Sequence, residues 1–286
     1  MTDIVIRPAS EAEFSTAVEW AAGEGWNPGL DDLSAFFAAD PDGFLMGFVE
    51  DEPVSSISVV RYGADFGFLG FYIVRPDYRG SGAGMAIWNA GMRHLDGRTV
   101  GLDGVVAQQD NYRKSGFILS GRNIRHTGVP LRMANTEIGC EIRSVRPSDI
   151  EAMIAYDRSN FPADRSAFVA DWTLPPDEVR RQSRVAMKGG AIVGYGTIRT
   201  CRAGYKIGPL FADDPEIAEA LFAALVDTMP SDAEVSFDTP DDNAAAVAIA
   251  VRAGLAPVFE TARMYRGADP KLPIHRIFGV TTFELG

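Results

Sequence analysis

The run Arg79-Gly80-Ser81-Gly82-Ala83-Gly84 has the residue types and spacing of an anion cradle. It stands between an apolar stretch, 66–74, and an amphipathic one, 85–95, and reads as strand, glycine turn, helix. Such a turn aims several backbone N–H groups and a helix N-terminus at one point, where phosphate oxygens are stabilised. Glycine serves there because a Cβ would hold the phosphates off and because some positions of such a turn need positive φ. The spacing disfavours two common phosphate motifs. A dinucleotide-binding turn would carry a third glycine where Met85 stands, and a P-loop would carry a lysine that the run lacks. A plain glycine turn between strand and helix is the alternative.

Arg79, Gly82 and Gly84 make an Arg-x-x-Gly-x-Gly pattern, and some thirty residues on comes Asp110-Asn111-Tyr112-Arg113-Lys114-Ser115-Gly116-Phe117. In this order and at this separation the two stretches resemble the acetyl-CoA-binding motif and the Tyr-x-x-x-Gly-Phe motif of the GNAT acetyltransferase superfamily. The resemblance implies that the strand ending at Ile73-Val74 lies beside the pantetheine arm of the co-substrate. It implies that Arg79, Gly80, Ser81, Gly82, Ala83, Gly84 and Met85 wrap the pyrophosphate, and that backbone N–H groups around Phe71 to Ile73 hold the thioester carbonyl. The hydroxyl of Tyr112 would protonate the departing sulfur, and transfer to an amine would be direct. The family often carries an asparagine seven residues before this tyrosine, where this chain has Val105. An ordinary core tyrosine is the alternative for Tyr112.

Direct transfer raises a proton problem. An alkylamine with a lysine-like pKa of about 10.4 is about one part in 2,500 neutral at pH 7, and deprotonating it costs about 4.6 kcal/mol. A base is therefore expected. Asp103, at the end of the strand Val100-Gly-Leu-Asp103, is the candidate, with a turn or cap residue before Gly104 as the alternative. Asp65 and Tyr62, just before the cofactor strand, are weaker candidates for the same role and are grouped with the acceptor site. Trp26, Asn27 and Asp31 occupy the early helix–loop region that usually lines the acceptor pocket in this superfamily; Trp26 could equally plug a core. Tyr156, Asp157, Arg158 and Phe161 either reach across to that pocket or pack their own helix.

The chain of 286 residues, 46% apolar and 23% charged, is long enough for two domains with cores of their own. No apolar run approaches a membrane span, and the opening Met1-Thr-Asp-Ile-Val-Ile-Arg-Pro8 lacks the character of a signal peptide. Cys140 and Cys201 are isolated thiols, which suits a reducing cytoplasm, and three scattered histidines offer no metal-spaced cluster. The net charge of −12 argues against nucleic acid and anionic membrane as partners and suits a cationic small-molecule amine, although acidity also serves solubility.

The chain also reads as one unit used twice. Each half opens with a strand ending in Arg-Pro, then a capped helix: Ser10 before 11–23, Ser148 before 150–159. Hairpins at 43–61 and 184–199 correspond, as do strands 66–74 and 204–212, helices 83–95 and 217–229, and strands 99–103 and 233–238. The joint falls at 128–139, with Gly128, Pro130 and Asn135. Where the first half has its glycine turn, the second has Phe211-Ala-Asp-Asp-Pro-Glu216, whose carboxylates would repel a pyrophosphate. Ala250 stands where Tyr112 does, and Asp242-Asn243 remain as a relic. The resemblance thus implies tandem GNAT folds, α/β (α+β) in class, each a mixed, mostly antiparallel sheet flanked by helices. Residues 1–130 would form the catalytic domain and 138–286 a degenerate one without a CoA site, closing on a strand over 277–286. A monomer is expected, the second domain replacing a partner subunit. The expected function is acetyl-CoA-dependent N-acetylation of a small amine. A non-catalytic acetyl-CoA-binding or regulatory module and transfer of a longer acyl group remain open.

Overall fold

The computed structural model describes residues 4–132 and 138–286, so Asn135 of the expected joint lies outside the described residues. The first repeat runs β1 (Val5–Pro8), α1 (Glu11–Gly23), α2 (Leu33–Ala39), β2 (Phe44–Val49), β3 (Glu52–Tyr62), β4 (Phe66–Val74), α3 (Ala83–His94), β5 (Thr99–Val105), α4 (Gln109–Lys114) and β6 (Ile118–Gly128). The second repeats this order as β7 (Glu141–Ser144), α5 (Ile150–Arg158), α6 (Ser166–Thr173), β8 (Arg181–Lys188), β9 (Ala191–Thr200), β10 (Tyr205–Ala212), α7 (Pro215–Val226), β11 (Val235–Pro240), α8 (Ala244–Arg252) and β12 (Ala256–Arg266), and adds β13 (Ile277–Gly279). Among the described residues no helix is long and apolar enough to cross a membrane.

Local chemistry accounts for most boundaries. Ser10 caps α1 as expected: its hydroxyl accepts the Glu13 N–H and the Glu13 carboxylate accepts the Ser10 N–H, a capping box. Ser148 does not cap α5. A 3-10 turn over Pro147–Asp149 comes first, and the Asp149 carboxylate takes the Arg146 N–H and the Arg143 guanidinium. The closing strand is shorter than expected, covering only Ile277–Gly279 before the chain turns.

The repeats do not close as separate sheets. All thirteen strands form one sheet, ordered β1-β2-β3-β4-β5-β12-β6-β11-β10-β9-β8-β7, with β13 on β10. The sixth strands are exchanged. β12 of the second repeat lies antiparallel to β5 of the first, β6 of the first lies antiparallel to β11 of the second, and β6 and β12 pair with each other at the centre. One face carries α3 and α4 over the first repeat and α7 and α8 over the second, each on its own apolar cluster. The opposite face carries α1, α2, α5 and α6 on a single cluster drawn from both repeats, within which Phe36 of α2 stacks on Trp172 of α6 at 6.0 Å between ring centroids.

Buried charge pairs mark the exchange. Arg263 of β12 binds both oxygens of Asp103 on β5 at 2.8 and 2.5 Å, and Arg125 of β6 binds both oxygens of Asp238 on β11 at 2.7 Å. Removing one partner of such a pair leaves a buried charge uncompensated, at about 3–5 kcal/mol. Arg263→Met is therefore expected to lower the unfolding free energy by that amount, read as a lower denaturant midpoint at unchanged slope. Because the pair spans the repeats, one transition should report both. Unfolding of the two halves in separate steps, in wild type or variant, contradicts the exchanged sheet.

Candidate active site

A cleft opens where β4 and β5 part. Their parallel pairing runs only from Phe66 opposite Thr99 to Leu69 opposite Leu102. On its other side β4 slips against β3, since Ser58 faces Gly70 but Ser56 faces Ile73, so Phe71 and Tyr72 face a single residue and make a bulge. Phe71 takes φ +44 to make it, and its carbonyl accepts the Ser56 hydroxyl at 2.8 Å. Past Leu69 these two residues have no register partner on β3 or β5. The resulting cavity, about 400 Å³, is lined by Ile73 and Val74 on one strand, Asp103 to Val105 on the other, and Arg79 and Tyr112 near the helices.

The glycine run continues directly from Arg79 in the cleft wall. Gly80 and Gly82 have φ +80 and +96, and a Cβ on either would meet nothing within 4 Å, so glycine is needed for conformation and the space above is open. Gly84 is needed for space, since its Cβ would press on the Tyr72 hydroxyl and Val74. Ser81 donates to the Tyr78 carbonyl at 2.7 Å and accepts the Ala83 N–H. Gly82 is the N-cap of α3 and has no side chain to cap it, and Met85 in the first turn is exposed, so the helix N-terminus stays available to an anion. Arg79 pairs with Glu24 at 2.6 Å, but both are half-exposed, and a pair worth about 0–1 kcal/mol does not prevent the guanidinium turning to a phosphate. The open turn, uncapped helix and arginine fit the pyrophosphate of a CoA thioester.

Tyr112 is delivered by α4 and Gly116, which takes φ +87 to turn the chain into the following strand. Its ring lies over Gly104, where a Cβ would overlap it, and stacks on Trp88 at 5.9 Å. The hydroxyl faces the cleft and finds no hydrogen-bond partner among the described residues. Burial pushes it up to about 12, with Tyr72 adding to the shift, so it stays protonated across the working range. Tyr72, which the sequence did not single out, lines the same wall and packs edge-on to Trp88.

The remaining expectations separate. Asp103 lines the cleft, but Arg263 occupies both its oxygens and the Asn123 amide adds a third bond at 2.8 Å. Burial pushes its carboxyl up and the Arg263 cation pulls it back. It joins strands and is not free to act as a base. Trp26 lines the cleft, its carbonyl held by Arg125 and Lys206, each at 3.0 Å. Asn27 points away and clamps the backbone of Ala203 in the second repeat, while Asp31 binds Arg180. Tyr62 is buried against Phe161 and donates to the Leu285 carbonyl, out of reach of a substrate. Asp65 sits on the exposed turn before β4, outside the cleft. Tyr156 donates to Val193 and Asp213 and Asp157 binds Arg165, all within the second repeat, whereas Phe161 reaches across to pack on Tyr62 and Phe66 of the first. Two groups escaped the sequence reading: Arg125, and Phe259, Thr261, Phe283 and Glu284 from the second repeat, which complete the wall of the cleft. Nothing in their local spacing signals this.

In the second repeat β10 and β11 also part, after Ile207 opposite Phe237. There β13 fills the gap, pairing with β10 at Leu210 and Phe211, while Val280 donates to the Asp238 carbonyl. The Asn243 amide pins it by donating to the carbonyls of Ile274 and Ile277. Asp214 caps α7 through the Ile217 N–H, so a carboxylate already occupies the phosphate position.

Family models agree with this geometry. Residues 10–117 match the acetyltransferase (GNAT) family and residues 153–279 an acetyltransferase (GNAT) domain. A holothin acyltransferase from Pseudoalteromonas sp. (strain SANK 73390) is 34% identical over 280 residues, covering 98% of this chain and 94% of that one. The chain belongs to the GNAT acyltransferase family. This tandem GNAT protein also shares 24% identity over 181 residues, 62% of each chain, with the uncharacterized N-acetyltransferase YitH of Bacillus subtilis. Among solved structures, an acetyltransferase candidate from Pyrococcus horikoshii superposes with a TM-score of 0.81 at 20% identity, over 100% of this chain and 97% of that one. A tandem GNAT protein from the clavulanic acid biosynthesis pathway superposes at 0.63 with 14% identity, over 93% and 100%. These two show the common fold. GNAT proteins generally use an acyl-CoA co-substrate.

Calorimetric titration with acetyl-CoA is expected to give one site per chain, and a stoichiometry of two would mean that the β13-filled cleft also binds. Gly82→Asp, which sets a charge and a strained φ in the turn, should abolish binding while the unfolding transition persists.

Proposed function

We propose that this GNAT protein transfers an acetyl group from acetyl-CoA to the amine of a small molecule, acting as a monomer in the cytoplasm. The observation that carries the proposal is the unpartnered, protonated Tyr112 hydroxyl in a cleft that begins at an open anion turn. A pure binding module has no use for a buried phenol held above the pK of a thiol, whereas a leaving thiolate does. The bulge residues Phe71 and Tyr72, lacking ladder partners, supply N–H groups for a developing oxyanion. The CoA thioester supplies the activated acyl group, and Arg79 with the turn Gly80–Gly84 holds its phosphates.

The acceptor is drawn as a small molecule because the cleft has a modest volume, about 400 Å³, and because the holothin acyltransferase named above acts, by its name, on holothin. Transfer of a longer acyl group is the second reading, favoured by the same relative's designation as an acyltransferase. Mass spectrometry of products from an amine panel that includes holothin, run with acetyl-CoA and longer acyl-CoAs, decides both points.

Tyr112→Phe keeps the ring on Trp88 and removes the acid. CoA affinity and stability should hardly change, and turnover at pH 7 should fall roughly 10²–10⁴-fold. The deficit should shrink at high pH, since a CoA thiol with a pKa of about 8.5 then leaves as thiolate without a proton. Wild-type turnover at pH 7 in this variant would assign the proton to another donor.

A further inference from the structure

Part of the wall of the cleft is built by the second repeat, whose own gap β13 fills. After β13 the chain turns back over β3 and β4 of the first repeat. The Glu284 carbonyl lies against Gly70, where any Cβ would overlap it, and accepts the Ser58 hydroxyl, while the Leu285 carbonyl accepts Tyr62. The Thr282 hydroxyl oxygen accepts the N–H groups of both Glu284 and Leu285. The turn is thus fixed beside the β4 bulge, and the Glu284 side chain lines the cleft.

Glu284 is only 6% exposed, yet its carboxylate has no hydrogen bond or ion pair among the described residues. Among the described residues none of the charged groups around it hydrogen-bonds to it. Arg125 on β6 holds Asp238 of β11, Arg199 on β9 holds Asp32, Lys206 on β10 donates to the Trp26 carbonyl, and Asp103 on β5 is held by Arg263. Arg125, Arg199 and Lys206 each gain from the Glu284 charge, so the carboxylate is compensated at a distance, but its hydrogen-bonding capacity is unfilled and an ammonium entering beside it supplies N–H donors. Trp26, Phe259 and Phe283 line the same cleft, the last two with the Arg125 guanidinium over their rings.

We propose that Glu284 is the catalytic base of the acceptor site, selecting a cationic amine carried on a flat apolar body. This rests on the acyl-transfer reading above. Glu284 binds the ammonium and takes one of its protons. The neutral nitrogen then forms its bond to the acyl carbon as the carbon–sulfur bond breaks. Tyr112 gives its proton to the sulfur and regains one from the new amide nitrogen, and Glu284 releases its proton to solvent. The products are the amide, the CoA thiol and one proton.

The test compares full-length wild type with E284Q, at saturating acetyl-CoA, on alkylamines and arylamines of similar size. E284Q should lower alkylamine kcat/KM by roughly 10²–10⁴-fold, with rates climbing about tenfold per pH unit below the amine pKa. The loss for an arylamine, neutral at pH 7, should be much smaller, and acetyl-CoA affinity should persist. Equal losses for both amine classes would show a merely structural role and overturn the proposal. So would a wild-type alkylamine rate and pH profile in E284Q, or a wild type that acylates arylamines alone. If E284Q does not fold, E284D retracts the charge by one methylene and should lose alkylamine turnover selectively, and wild-type rates on both classes then overturn the assignment. A wild type that makes no amide at all removes the acyl-transfer reading itself, and this proposal with it.

Discussion

The antiparallel contact of β5 with β12 is the constraint on which the remaining structure depends. A strand that parts from one neighbour to open a cleft must keep its other edge satisfied, because buried backbone N–H and C=O groups cannot be left bare. Here β5 leaves β4 after Leu102, and β12 of the second repeat pairs with it from Val100 to Val105. The same contact brings Arg263 to Asp103, spreads the buried charge over two repeats and commits that carboxylate to structure.

Strand exchange also divides the labour. The first repeat has the parts proposed to handle a thioester: the open turn at Gly80 to Gly84, the bulge at Phe71 and the phenol of Tyr112. The second has filled its equivalent gap with β13 and capped its phosphate position with Asp214. Filling that gap is what sends the following residues across to β3 and β4. The filled gap of one repeat and the completed cleft wall of the other are two consequences of one path of the chain.

Between the repeats runs a buried polar belt. Arg125 and Lys206 both donate to the carbonyl of Trp26, so the loop after α1 is held by cations from two strands that themselves lie across the exchange. Burial works against the charge on Lys206, and the neighbouring Arg125 adds to that effect. Acid groups nearby, Asp238 and Glu284, offset it. The position of an aromatic wall in the cleft is therefore set by electrostatics at the seam.

The sequence by itself determined the elements, the glycine turn and the tyrosine beside the cleft. Hydrophobic periodicity, the Ser10 cap, the glycines at φ +80 and +96 and the spacing from Tyr112 to Gly116 act over a few residues, so their consequences follow from local chain geometry. The duplication was legible for the same reason, because each copy repeats those local signals. Other features were decided only by the tertiary structure: the single exchanged sheet, the engagement of Asp103, the burial of Tyr62 and the approach of Glu284 to Gly70. These contacts join residues up to 226 positions apart. No local spacing encodes them, because a carboxylate looks the same in sequence whether an arginine 160 positions away has claimed it or not. Which acid is held and which is free depends on where the chain's two halves cross.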